Sequence, residues 1–123
     1  MHGGDMDLSK DLVAASATPL VLSILKEGDS YGYAIIRRVK ELSGEEMNWT
    51  DGMLYPVLHR LEKQGYINSY WQMSLIGRKR KYYSLTREGD ENLEVFKSQW
   101  CLVNKTLIRI WDRYKQMQSE GGN

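Results

Sequence analysis

Apolar residues recur at helical spacing in four stretches of this chain and at strand-like density in two. From Leu8 to Lys26 the pattern is helical, with Leu20, Val21, Ile24 and Leu25 forming the inner stripe. Thr18-Pro19 within it reads either as an N-cap with proline at N1 or as a kink in a longer helix. Gly28-Asp29-Ser30 ends that stretch. A second helix is expected from Tyr31 or Gly32 to Leu42, with Ile35, Ile36, Val39 and Leu42 inward, until Ser43-Gly44.

In the third helix Leu54, Val57, Leu58 and Leu61 occupy i, i+3, i+4 and i+7, and Gly65 closes it at C′. Thr50 is the expected N-cap, and Asp51 complements the positive end of the helix dipole. Pro56 lies inside and frees the Gly52 carbonyl, so a local irregularity is expected there. Tyr66 to Met73 and Arg78 to Leu85 are rich in strand formers. The Gly-containing break Ser74-Leu75-Ile76-Gly77 between them makes a β-hairpin.

Thr86 then caps a last helix that runs to about Gln118. Leu93, Phe96, Trp100, Val103, Leu107, Ile110, Tyr114 and Met117 alternate at spacings of three and four, as in a coiled-coil seam. A second strip (Val95, Cys101, Leu102, Ile108, Trp111) lies off that seam, more apolar surface than a small head can cover. The expected cover is a second copy of the chain, giving a homodimer across a two-fold axis.

These elements predict a mainly α fold with a small β-hairpin: a winged helix-turn-helix followed by a long C-terminal dimerisation helix. Residues 1–85 form the N-terminal helix and DNA-binding head. Residues 86–123 form the dimerisation helix, with Gly121-Gly122-Asn123 as a frayed tail. The third helix leaves Thr50, Met53, Tyr55, Pro56, His59, Arg60 and Lys63 off its core face. His59, Arg60 and Lys63 offer hydrogen-bond donors, while Met53, Tyr55 and Pro56 offer contact with thymine methyls and sugars. On the hairpin, Arg78-Lys79-Arg80-Lys81 supplies long cations for phosphate.

Composition adjusts this picture in two places. The 123 residues carry 17 Lys and Arg against 16 Asp and Glu, a net charge of +1, too little to coat nucleic acid by charge alone. The balance conceals a gradient: the first 30 residues hold two cations and five acids, whereas residues 66–90 hold five cations and two acids. A single cysteine excludes a disulfide framework, and His2 and His59 are too few for a histidine metal site, so no metal or cofactor is expected. The longest apolar stretch, Leu12 to Leu25, is short and interrupted by Ser16, Thr18, Pro19 and Ser23. No basic segment precedes it, so no membrane span is expected and the location is cytoplasmic.

Several motifs together resemble the PadR family of bacterial transcriptional regulators. They are Tyr31-Gly32-Tyr33, the run from Leu54 to Glu62 (Leu-Tyr-Pro-Val-Leu-His-Arg-Leu-Glu), Gly65-Tyr66-Ile67, and the run from Gly77 to Gly89. The likeness covers about residues 12 to 115, and the single last helix is similar to the short subfamily. It implies a dimeric DNA-binding repressor of a palindromic operator, often relieved by a small aromatic or drug-like ligand, and it adds Tyr33 to the DNA-facing set. Met53 stands where the family usually has a small hydroxyl residue, and the wing tip is more apolar than usual.

Individual residues carry further expectations. Trp100 and its symmetry mate either close the dimer core or flank a cleft for a planar ligand, with Phe96, Val103, Leu8, Leu12 and Ala15 as lining. Tyr83 belongs to the core, Trp71 packs under the wing, Glu62 forms a helix-surface pair, and Cys101 is a small buried or half-buried hydrophobe. No catalytic constellation stands at usable spacing, so an enzyme is not expected. The rival from another class is a winged-helix protein-interaction adaptor that does not bind DNA.

Overall fold

The computed structural model describes residues 8–121. In chain order its elements are α1 (Lys10–Glu27), β1 (Ser30–Tyr31), α2 (Gly32–Leu42), α3 (Asp51–Lys63), β2 (Ile67–Met73), β3 (Lys79–Leu85) and α4 (Arg87–Gly121). The fold is mostly helical with one small antiparallel sheet, the winged-helix arrangement. His2 and the last two residues of the Gly121-Gly122-Asn123 tail lie outside the described residues.

Local chemistry accounts for most boundaries. The Ser9 hydroxyl accepts the Leu12 N–H at 3.2 Å, so α1 begins after Leu8. It then runs through Pro19, so Thr18 is no N-cap; the proline costs the bond that the Ala15 carbonyl would accept. Thr50 caps α3 by accepting the Met53 N–H at 3.3 Å, and α3 continues past Pro56. At its far end Gly65 takes φ +82°, and Tyr66 N–H returns to the Leu61 carbonyl at 3.0 Å, a Schellman closure. Thr86 caps α4 through the Gly89 N–H and is itself tied to the Gly65 carbonyl at 2.7 Å.

The sheet has the order β1-β3-β2, so the hairpin gains a third strand. Ser30 and Tyr31 pair with Tyr83 and Tyr82, where the glycine-led break after α1 reads as simple punctuation. β2 and β3 pair from Ile67↔Leu85 out to Met73↔Lys79.

Up to Leu93 the chain forms one compact unit, and from Glu94 onward a second. In the first, the winged head, Leu22, Ile35, Leu54, Leu58, Leu61, Ile67 and Leu93 are each under 2% exposed. α1, α2, α3, β2 and the first turns of α4 therefore each donate a fully covered side chain. The boundary thus lies eight residues beyond the expected 85/86 division, because those first turns pack with the head. Gly89 is buried there, and a Cβ on it would collide with the Tyr66 carbonyl oxygen. Leu93 accordingly leaves the expected dimer seam: its side chain is consumed by the head's own core.

The second unit is the remainder of α4. At 1.5 Å per residue, all 35 residues of the helix measure about 52 Å. Beyond the half-buried Phe96, every described side chain is exposed, including Trp100, Val103, Leu107, Ile110, Tyr114 and Met117. Cys101 is exposed too, contrary to expectation, because nothing within its own unit covers it.

Candidate nucleic-acid interface

The core-facing positions of α3 are Leu54, Leu58 and Leu61, and the helical period dictates what remains outside. Pro56, His59 and Lys63, spaced three and four apart, form the outward strip and are all exposed. Thr50 is exposed at the N-terminus, its hydroxyl occupied in capping. The two edges of the strip are less free. Tyr55 is 45% exposed, and its hydroxyl rests where a side chain on Gly32 would begin, so it packs on the start of α2. Arg60 donates from Nη2 to Thr18 Oγ1 at 2.6 Å, which draws the guanidinium toward α1. Met53, on the α1 side, is 39% exposed. Tyr33 stands 63% exposed on the first turn of α2, with the Arg37 guanidinium 5.9 Å from its ring centroid.

The wing departs from the expected single cluster of cations. Strand alternation sends Lys79 and Lys81 to one face and Arg78 and Arg80 to the other. Lys81 opposes Trp71 and Lys79 opposes Met73, so this face carries exposed cations beside exposed apolar side chains. Trp71 is 65% exposed rather than packed under the wing, since its register places it beyond the reach of the Ile67 and Tyr83 core. On the opposite face the Arg80 guanidinium lies 4.4 Å over the Tyr31 ring. Tyr31 meets Tyr82 edge-on at 5.3 Å, and Tyr82 stacks on Tyr70 at 5.8 Å. The Tyr70 hydroxyl donates to Asp29 Oδ2 at 2.6 Å.

This tyrosine row, which crosses all three strands and holds one wing cation, was missed in the sequence. Strand alternation would have aligned Tyr70 with Tyr82, but Tyr31 joins only through the two-residue β1. The wing turn closes through Gly77, at φ +83°, and leaves Leu75 and Ile76 projecting into solvent.

Charges near these faces are mostly neutralised at the surface. Arg38 grips Glu27 with two bonds of 3.0 Å and holds its carboxyl below the usual carboxylate range. Hydrogen bonding to Asp29 pushes the Tyr70 hydroxyl up, and burial does the same to Tyr83, which is core as expected. Glu62 accepts from Ser69 Oγ at 2.5 Å, linking α3 to β2 and turning its carboxylate away from the outward strip. By contrast, Arg78, Lys79 and Lys63 take part in no ion pair among the described residues. In the same set no cluster of His, Cys, Asp or Glu could hold a metal, and no helix is long and apolar enough to cross a membrane.

The residues expected to line an effector cleft are split between the two units. Leu12 and Ala15 are exposed on α1, Leu8 precedes it, and Phe96, Trp100 and Val103 belong to α4. Cα placement alone brings the α3 strip and the wing into one unit.

Comparison with known proteins supports the same assignment. The transcriptional regulator PadR-like family matches residues 21–95. A transcriptional regulator from Clostridium thermocellum is 33% identical at a TM-score of 0.75, covering 84% of this chain and 97% of that one. A PadR family transcription regulator from Clostridium difficile is 35% identical at a TM-score of 0.69, with coverages of 77% and 97%. A PadR-like transcriptional regulator from Bacillus cereus is 29% identical at a TM-score of 0.73, with coverages of 82% and 96%.

Proposed function

Because this chain belongs to the PadR-like family of transcriptional regulators, whose members are non-enzymatic DNA-binding proteins, we propose that it is a cytoplasmic, ligand-responsive repressor that binds a palindromic operator as a homodimer. The observation that carries this reading is the pairing of an exposed α3 strip (Pro56, His59, Lys63) with unpaired wing cations in one compact head. A major groove about 12 Å wide admits α3, and Tyr33, Thr50, Met53 and Tyr55 border it. Arg78, Lys79, Arg80 and Lys81 contact backbone phosphate. Arg60, released from Thr18, reads a base.

Dimerisation follows from the uncovered face of α4. Phe96, Trp100, Val103, Leu107, Ile110, Tyr114 and Met117 meet their counterparts on a second copy, which spaces two heads for two half-sites. The effector, a small aromatic or drug-like molecule, sits between the paired helices against Trp100, Phe96 and Val103, with Leu12 and Ala15 from α1. It lowers operator affinity by favouring a different head spacing.

Selection of bound sequences from a random DNA pool, followed by affinity measurement across salt, tests the proposal. The expected outcome is an inverted repeat and a steep fall of log affinity with log salt. Replacing Arg78 and Lys79 with Ala should reduce that slope by about one each and weaken all sequences alike. An unselected pool with salt-independent retention would instead identify a protein-interaction adaptor.

A further inference from the structure

Between the inward side of α1 and the edge of α3 runs a trough of about 490 Å³, lined by Leu8, Lys10, Val13, Ala14, Ala17, Trp49, Met53, Val57 and Arg60. All of these residues belong to the head, and the volume lies in the range of small-molecule sites. From Lys10 to Ala17 the lining spans two turns of α1, and from Met53 to Arg60 two turns of α3. The trough therefore extends about 10 Å along both helices. Ala14 and Ala17 keep it open on the α1 side.

Two features point to the chemistry of an occupant. The first is an orphaned donor: Trp49 is 7% exposed, yet its Nε1–H has no hydrogen-bond partner among the described residues. A buried donor left unpaired costs free energy that an incoming acceptor would recover. The second is uncompensated positive charge. Arg60 is anchored to the neutral Thr18 hydroxyl, and neither it nor Lys10 has an ion-pair partner among the described residues. The guanidinium keeps donors for a carboxylate. The carboxylate nearest the site, Glu46, lines a separate adjoining recess of about 190 Å³ with Met47 and Asn48.

We propose that this trough binds a medium-chain alkyl carboxylate, its chain along Val13, Ala14, Ala17 and Val57 and its head group between Arg60 and the Trp49 indole N–H. An elongated aliphatic lining suits an extended chain, and the two donors suit one anionic acceptor. The site is separate from the inter-subunit cleft at Trp100. Met53 and Arg60 also border the DNA-facing strip, so occupancy and DNA binding oppose one another; that linkage alone rests on the DNA reading above.

Sodium decanoate, titrated below its micelle concentration into the full chain without DNA, tests the site. The readout is the four tryptophan indole N–H signals in a proton–nitrogen spectrum, with Trp49 assigned from Trp49→Phe. The Trp49 signal should move saturably. Decanol should bind about tenfold more weakly, and Arg60→Gln should abolish the preference for the acid. Ala14→Phe, at an exposed position, should fill the trough and abolish the shift even if Trp49→Phe fails to fold. An unmoved Trp49 signal, shifts confined to the α4 tryptophans, or equal binding of decanol and decanoate would overturn the proposal. With DNA present, decanoate should weaken operator binding in the wild type and leave Ala14→Phe unaffected. Loss of that linkage with the indole shift intact would sink the coupling and spare the site.

Discussion

Leu93 and Trp100 stand two turns apart on α4, yet Leu93 is 1% exposed and Trp100 is 49% exposed. The same helix, with the same spacing of apolar side chains, thus serves two kinds of surface. Before Glu94 the apolar positions meet partners from α1, α2, α3 and β2 of the same chain. After it they meet water, and Ile110, Trp111, Tyr114 and Met117 are all more than half exposed. A run of apolar side chains this long on a soluble regulator marks a surface that a partner covers. What distinguishes the two halves of the helix is the length of chain available to fold back on each.

That contrast can be broken from the head side first. Leu58→Ala, at a site 1% exposed and ringed by the core, should cost about 2–5 kcal/mol in denaturant unfolding, enough to unfold much of the head. An effect below 1 kcal/mol would mean that the core is not one cooperative unit. From the other side, Ile110→Asp should leave the head's unfolding midpoint in place while dissociating the assembly in sedimentation equilibrium. A charge across a two-fold seam is buried twice without a partner, a penalty of about 2 kcal/mol or more. Unchanged mass would remove this face from the interface.

Gly89→Ala sharpens the boundary. Its new methyl would meet the Tyr66 carbonyl oxygen and force the first turn of α4 away from β2, with about 1–3 kcal/mol lost from head stability. An alanine tolerated there would show that those turns belong with the outer helix after all. The smallest effect concerns the head's surface. Arg38 lowers the Glu27 carboxyl, so its contribution is present above the unfolded carboxylate range and disappears as pH falls through the lowered folded value. Unfolding curves of wild type and Arg38→Met should therefore differ slightly at pH 7 and converge near pH 3. Both groups are exposed, so a large gap at neutral pH would contradict a solvent-screened pair.

Much of this architecture was legible because the signals are local. The α3 stripe, the Thr50 and Thr86 caps, the Gly65 closure and the two long strands all follow from spacing and from single residues with special conformational needs. Pro19 misled because tertiary packing holds α1 straight through a residue that on its own weakens a helix. β1 was invisible because two residues carry no period, and it exists only because β3 offers an unpaired edge.

The candidate interface divides in the same way. Which residues lie off the core face of α3 could be read from the helical period, and the wing cations from plain charge. Whether each is free could not. Arg60 meets Thr18 across 42 positions of sequence, Tyr55 meets Gly32, and Arg80 lies on a tyrosine brought over by β1. Periodicity and capping act over a few residues, so the sequence alone determined the elements, their apolar faces and the family to which the chain belongs. Partnership between distant side chains depends on chain folding in three dimensions. Only the tertiary structure therefore decided that Leu93 belongs to the head, that the wing's charge is split between two faces, and that a trough with an unpaired indole donor lies between α1 and α3.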